Sequence, residues 1–492
     1  MQYDRKVQRN LPLLIQFTVG NNKYNHTKNH QPKNFNMNWN NIILGNRTGG
    51  IDSSPEIRTD YQRDFDRLVF SSAFRRLQNK TQIFPLPGST FVHNRLTHSL
   101  EVASVGRSLG KLIGNELINK GLIDEGNHDF YKYELQNVIA SACLAHDIGN
   151  PSFGHSGEKA ISNYFIDNQN LHIEKKKLKG YFEDDEWKDL VNFEGNANSF
   201  RILTNQFNGK SSGGYRLTFT TLASILKYPC ESKAINDTNT HTKKFSFFQS
   251  EKKLGNEILS SLNIDKVKGD SLVFKRHPFV YLTEAADDIC YRIVDFEDAQ
   301  RLHILPHSQV SDIFINLIKN IGRVDDNIDK INKVYNSIAD KNEQISYLRA
   351  KCINTLAHES TDLFMDNVDL IIRGEYNNGL LDDMTNNNSF LQEIETISID
   401  EIYNHDTVVE LEIAGYKIMS DLLSLFVPAV LKEKKEHKDK KVLKILPKQF
   451  QTERKENYYK VLSILDYLSG MTDSFAIEMY RKLFGIEIPK HR

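Results

Sequence analysis

The stretch Ala142–Ile161, ACLAHDIGNPSFGHSGEKAI, places His146, Asp147, His155 and Glu158 within a short span of chain. A histidine followed directly by an aspartate, where an apolar run ends, offers an imidazole and a carboxylate to one cation. His155 and Glu158 stand i,i+3. On a helix they share a face, the geometry in which a carboxylate orients an imidazole for proton transfer. An isolated His-Asp is more often a cap or a surface pair, so further ligands must come from elsewhere. His98, in NRLTHSLEVASVGRSLGKLIG, and Asp287, in YLTEAADDICYRIVDFEDAQRL, are the candidates. Asp287, Tyr291 and Asp295 fall at i, i+4 and i+8, one face of one helix. An acid, an aromatic and a second acid on that face suit a cleft. There Asp287 reaches a metal, Tyr291 packs on a ligand ring and Asp295 accepts a hydrogen bond from a hydroxyl.

The elements that must hold these residues are helices. Val138, Ile139, Ala142 and Leu144 form the apolar face of a helix over Leu135–Ala145. Gly149, Asn150 and Pro151 end it, and a second helix opens near Gly154. Leu96–Ile113 is amphipathic. Phe279–Leu302 carries the stripe Leu282, Ala286, Ile289, Ile293 and Phe296. Phe65, Leu68, Val69, Ala73 and Leu77 give another helical face beside many charges. Val310–Phe364 supplies several helices. Asp167–Asn192 reads as a surface helix or loop, Thr221–Leu226 as helical and Asp237–Lys244 as a polar loop. Tyr376–Ser389, rich in Asn and Asp, reads as a loop. Lys432–Lys444 reads as a lysine-rich loop between helical regions Val408–Val430 and Asn457–Phe484. Strand signals are sparse and internal repeats absent. The expected fold is mostly α. Residues 1–36 form a disordered leader, 37–310 a catalytic region, and 311–492 a helical region that completes the pocket and makes oligomer contacts. Met37 is a candidate translation start.

Composition narrows the classes. Lys+Arg 63 against Asp+Glu 64 leaves a net charge of −1 over 492 residues, with no global basic character to favour nucleic acid or membrane surfaces. The four cysteines are scattered and form no CxxC, which points to a reduced, cytoplasmic protein. No run of about 18 apolar residues is present, so no membrane span is expected. There is no GxxxxGK[ST] loop either.

The order H…HD…D, set by His98, His146, Asp147 and Asp287, resembles the HD-domain metal-dependent phosphohydrolases. Within them the chain is most similar to bacterial dGTP triphosphohydrolases. The segments that carry the resemblance are RDFDRLVFSSAFRRLQNKTQIF, HNRLTHSLEV, AHDIGNPSFGHSGE, LTFTTLASILKYP, EAADDICYRIVDFEDA, ELEIAGYKI and DYLSGMTD. They run in order from about Arg58 to about Phe484.

The resemblance implies one divalent metal per subunit, Mg²⁺, Mn²⁺ or Fe²⁺, held by His98, His146, Asp147 and Asp287, with Asp288 standing where relatives often carry Glu. It makes His155 the catalytic histidine and Glu158 its partner. The reaction would be water attack at the α-phosphorus of dGTP, yielding deoxyguanosine and tripolyphosphate. Gln82 and Asp295 would hold the 3′-hydroxyl, and Tyr291 would pack under the deoxyribose and exclude a 2′-hydroxyl. Arg95, Lys227, Tyr228 and Lys244, with Arg454 as a weaker match, would face the triphosphate. Ile83 and Glu412 would face the base, Glu412 accepting from guanine N1–H and the 2-amino group, with Tyr416 one turn on. Two other functions fit the same residues: a broad dNTP triphosphohydrolase switched on by a second dNTP, and a non-catalytic nucleotide or nucleic-acid sensor using Lys432–Lys444. The family also implies a homo-oligomer, from dimer to hexamer, and in some members a response to single-stranded DNA.

Overall fold

The computed structural model describes residues 37–50, 57–85, 92–322 and 327–488. Helices dominate these residues, and the only sheet among them is a hairpin pairing His172–Ile173 with Lys176–Lys177. The expectation of a mostly α protein therefore holds. The expected leader lies outside the described residues. Met37 is buried with Trp39 and Ile42 in the core.

The helix Arg95–Asn119 starts at Asn94, whose side chain accepts from the Leu96 and Thr97 amides while Thr97 returns a bond to the Asn94 backbone. This reciprocal cap satisfies amides that the first turn leaves open. The same helix lies close against Leu135–Ala145 because its facing positions are glycines. A Cβ on Gly114 would fall 2.0 Å from the Tyr131 carbonyl oxygen, and one on Gly110 2.9 Å from the Gln136 Cα. Close approach at this seam brings the His98 and His146 rings to 5.5 Å between centroids. The third wall is the helix Val280–Arg301, which packs on Arg95–Asn119 and on Lys341–Asp366.

Two apolar clusters fill the interior. One holds Arg95–Asn119, Leu135–Ala145 and Val280–Arg301, with the helices that follow as far as Val408. The other holds Gly154–Asp167, most of Asp406–Leu431 and Asn457–Ser469. The chain passes from the first to the second through the turn at residues 146–153. The histidines on either side of that turn thus belong to different clusters.

Two local expectations need correction. Residues 380–386 of the supposed loop at 376–389 are a helix that buries Leu380, Leu381 and Thr385. Asp382 and Asp383 sit in its first turn, where acids complement the helix dipole, so the Asp-rich composition misled. Within 432–444, His437–Lys444 is a helix with a Glu436–Asp439 capping box and a buried Val442. The helix-or-loop reading of 167–192 is met by a helix, Asp184–Val191, whose Trp187 is buried and packs edge-on against Phe165. Asp406–Leu431 also departs from the reading that nothing is apolar enough to span a bilayer: its mean hydropathy reaches 1.4 although Lys417 and Asp421 interrupt the run. Its buried face, including Met419, Leu422 and Phe426, packs into the second cluster as a core helix would.

Candidate active site

His98 Nε2 lies 3.0 Å from Asp287 Oδ1, and His146 Nε2 lies 3.4 Å from the same oxygen. The donor atoms of His98, His146 and Asp287 all fall within 4.8 Å of one another. Asp147 joins them, with Oδ1 3.5 Å from His146 Nε2. His146 Nδ1 donates to the Cys143 carbonyl at 2.6 Å, which leaves the lone pair of Nε2 turned into the site. That Nε2 is buried and closes no hydrogen bond among the described residues. Asp147 is oriented from outside: its Oδ2 accepts from Arg95 at 2.7 Å and its Oδ1 from Asn150 at 2.6 Å. Two imidazoles and two carboxylates, one nitrogen orphaned in a buried position, match the donor set a divalent cation requires.

The electrostatics follow from this crowding. Burial opposes the charged form of His146, but Asp147 and Asp287 outweigh it and raise the imidazole to about 9. For Asp287 burial acts the other way, and the two histidines overcome it and hold the carboxyl well below its ordinary value. Burial lifts Asp288 to about 8, with Lys227 opposing and Glu284 adding to the rise.

Beyond the turn, Phe153 adopts φ 61° and Gly154 φ 55°, a left-handed kink that starts the Gly154–Asp167 helix. His155 Nδ1 lies 3.4 Å from Glu158 Oε2. Glu158 Oε1 accepts the Gly195 amide at 2.9 Å, and a Cβ on Gly195 would fall 2.4 Å from that oxygen. The buried carboxylate is kept charged against its desolvation by His155, by Lys244 and by this amide. His155 is the more exposed partner, its side chain 40% accessible against 4% for Glu158.

A cavity of about 260 Å³ opens between these two groups. Its walls include Gln82, Ile83, Arg95, Lys227, Tyr228, Tyr291 and Glu412, together with Asp147, His155, Glu158 and Asp287. Eleven sequence-derived candidates thus meet in one space. Gln82 Oε1 is buried there without a hydrogen-bond partner among the described residues.

Four candidates stand elsewhere. Asp295 lies behind the wall, where its Oδ2 accepts from Tyr403 at 2.8 Å while Tyr403 stacks on Tyr291 at 5.2 Å. Lys244 is paired with Glu194 at 2.7 Å, behind Glu158. Tyr416 packs against the second apolar cluster instead of the cavity. The reason lies one residue earlier: Phe153 seats on Gly415, where a Cβ would fall 2.4 Å from its ring, and this contact closes the cavity before Tyr416 is reached. Arg454 lines a different cavity and lies over the Tyr459 ring at 4.0 Å, so within one chain it does not reach this site.

Sequence reasoning missed several residues. Glu284 joins Lys227 and Arg276, each at 3.0 Å, and all three line the cavity. Glu194 backs Glu158. Tyr403 caps Asp295. The segment that carries Asp287 also holds Glu284 one turn earlier, at i−3 from Asp287, and this was the available signal.

Comparisons with known proteins agree with this geometry. The HD domain family matches residues 95–226, and the phosphohydrolase-associated domain matches residues 387–482. The deoxyguanosinetriphosphate triphosphohydrolase-like protein of Synechocystis is 37% identical, over 92% of this chain and 100% of its own length. The like-named Pseudomonas aeruginosa protein is 34% identical over the same shares. The deoxyguanosinetriphosphate triphosphohydrolase of Cronobacter sakazakii is 29% identical, over 89% of this chain and 96% of its own.

Proposed function

The chain belongs to the HD-domain family of deoxyguanosinetriphosphate triphosphohydrolase-like proteins, and from that premise we propose that it hydrolyses dGTP to deoxyguanosine and tripolyphosphate. The observation that carries the reading is the orphaned Nε2 of His146 beside Asp287, at the end of a cavity that also takes in His155. His98, His146, Asp147 and Asp287 would hold one divalent cation, Mg²⁺, Mn²⁺ or Fe²⁺. Bound there it supplies Lewis acidity toward a phosphoryl oxygen.

The rest is the work of the chain's own groups. Glu158 fixes the His155 ring through Nδ1, so Nε2 is the nitrogen offered to the reaction. It takes a proton from the water that attacks the α-phosphorus and returns one to the departing 5′-oxygen of deoxyguanosine. Lys227, Tyr228 and Arg95 oppose the charge of the triphosphate. Glu284 holds Lys227 in place; burial opposes the charge on the amine, but that ion pair outweighs it and keeps it charged. Gln82 takes the 3′-hydroxyl, and Tyr291, backed by Tyr403 and through it by Asp295, forms the floor under the sugar. Glu412 and Ile83 receive the base. Ser398, Ile399 and Val408 also line the cavity, which supports a pocket to which the region after residue 310 contributes.

Product analysis with purified protein, dGTP and Mn²⁺ or Mg²⁺ tests the proposal. Tripolyphosphate and deoxyguanosine are expected; orthophosphate or pyrophosphate as the first product overturns it. A panel of four dNTPs, each with and without a second dNTP, separates dGTP selectivity from a broad, nucleotide-activated activity.

A further inference from the structure

The segment DYLSGMTD, at residues 466–473, contributes nothing to the cavity wall, yet the whole site is hung from it. Its last residue, Asp473, is buried. One carboxylate oxygen, Oδ2, accepts the backbone amide of Thr81 at 2.7 Å, and the other, Oδ1, accepts the amide of Phe153 at 3.0 Å. Thr81 precedes Gln82. Phe153 is the left-handed residue that launches the helix carrying His155. The neighbouring residues make parallel ties. Lys80 Nζ reaches the carbonyls of Asn150 and Ser469, and Ser152 donates to the Met471 carbonyl at 2.9 Å.

We propose that Asp473 is a positioning residue: its two carboxylate oxygens lock the segment that carries Gln82 and the turn that precedes His155 to each other, setting the distance between sugar contact and proton-transfer group. The inference rests on the roles given above to Gln82 and His155. A carboxylate accepts on both oxygens at once, and two backbone amides from segments about 70 residues apart use both. No neutral side chain of that size accepts twice in this way. An asparagine here would turn its own N–H₂ toward one of the two amides. Phe153 also holds a conformation that costs energy on its own, since φ 61° is unfavourable for a side chain with a Cβ.

Asp473→Asn tests the lock, with Thr472→Ala as the comparison variant. Thr472 caps the same C-terminal helix by accepting the Phe475 amide at 3.3 Å and touches neither locked segment. Amide hydrogen exchange at Thr81 and Phe153, bound metal per chain, melting temperature, and kcat and KM for dGTP and 2′,3′-dideoxy-GTP are measured for both. Asp473→Asn is expected to speed exchange at one or both amides. It should lower kcat for dGTP roughly 10–100-fold, the scale of an outer-shell change, with metal content unchanged, and narrow the preference for dGTP over the dideoxy analogue. Thr472→Ala should lower the melting temperature while kcat stays within about twofold. Unchanged protection of both amides, or equal kcat losses in the two variants, overturns the inference. If the wild-type protein hydrolyses no dNTP, the proposed function fails, and the exchange measurement alone decides whether Asp473 holds the two segments.

Discussion

Two clusters of histidine and carboxylate lie along the helices Arg95–Asn119 and Val280–Arg301 and are built to opposite ends. At one, His98 and His146 converge on Asp287, and a buried imidazole nitrogen is left over. At the other, about three turns along the Val280–Arg301 helix, His93 meets Asp298 and Glu101. The His93 amide and Nδ1 both reach Asp298 at 2.8 Å, and Nε2 lies 3.3 Å from Glu101. Arg349 bridges to Glu297 at 2.5 Å, and Arg301 adds a second tie to Glu297 at 2.8 Å. Here each side chain ends on an opposite charge. Residue type therefore does not separate a ligand site from a strut. What separates them is what surrounds the ring's second nitrogen: Nε2 of His93 meets one acid, Glu101 at 3.3 Å, whereas Nε2 of His146 lies between two, Asp287 at 3.4 Å and Asp147 at 3.5 Å, and closes a hydrogen bond with neither.

The sharpest way to break this contrast is at the open cluster. His146→Ala or Asp147→Ala should lose bound metal and at least about 100-fold in kcat/KM, beyond the cost of an outer-shell change. Neighbouring positions on a helix end cannot stand in for each other. Metal analysis and dGTP turnover check it, and a variant that keeps stoichiometric metal and full activity would sink the ligand assignment.

Between the two clusters, on the same helix face, lies Tyr291. If the open end holds the α-phosphate, Tyr291 is one turn, ~5.4 Å, along the axis, about where a sugar ring begins. Tyr291→Ala should cost roughly 5–150-fold in kcat/KM for dGTP and narrow the dGTP/GTP ratio. Unaltered discrimination against GTP would show that this face serves only the metal.

The closed cluster should respond in stability and not in chemistry. His93→Gln is expected to leave metal and turnover in place while lowering unfolding free energy by about 1–3 kcal/mol. Burial opposes the charge on His93, but the bonds to Asp298 and Glu101 prevail and raise it to about 10. A raised histidine contributes fully below its unfolded value near 6.5 and loses that contribution as pH climbs through about 10. The gap in melting temperature between wild type and His93→Gln should therefore shrink as pH rises from about 6.5 to about 10. A gap that is constant with pH would mean His93 acts by packing alone.

Much of this was legible in the sequence, and the limits are physical. Helical periodicity located the helices that carry His98, His146 and Asp287, because each buries one face and the pattern reports burial directly. The i, i+4, i+8 face of Asp287, Tyr291 and Asp295 was correct as a face, yet Asp295 proved to be capped by Tyr403. That partner lies 108 residues away, and no local period reveals it. Tyr416 shows the same limit. Spacing puts it one turn beyond Glu412, but the cavity ends there because Phe153 seats on Gly415. The ties from Asp473 to Thr81 and Phe153 were invisible for the same reason: backbone amides carry no sequence signature. What composition suggested as loops at 380–386 and 437–444 are helices whose acidic residues cap or face their N-termini.

The smallest expected effect tests where the open site stops. Arg454 is an arginine near the C-terminal end of a nucleotide-hydrolase-like chain, and on sequence grounds it is a candidate for the triphosphate. In the fold its guanidinium lies over the Tyr459 ring at 4.0 Å, on a cavity walled by Arg201, Gln449 and Asp466 and separate from the one that holds His155. A cation over an exposed aromatic contributes about 0.5–1 kcal/mol, and Coulomb attraction to a ligand beyond about 10 Å is largely screened at 0.1 M salt. Arg454→Ala should therefore change kcat/KM for dGTP by no more than about twofold and shift stability by at most about 1 kcal/mol. Lys227→Met gives the opposite reference. It removes a cation that lines the active cavity and leaves Glu284 with only Arg276, so KM should rise well beyond the Arg454 change. Both variants are assayed at low and at 0.15 M salt. An Arg454→Ala loss as large as that of Lys227→Met, at both salt concentrations, would require the guanidinium to reach the triphosphate, and since it cannot do so within one chain the pocket would then be completed by a second copy.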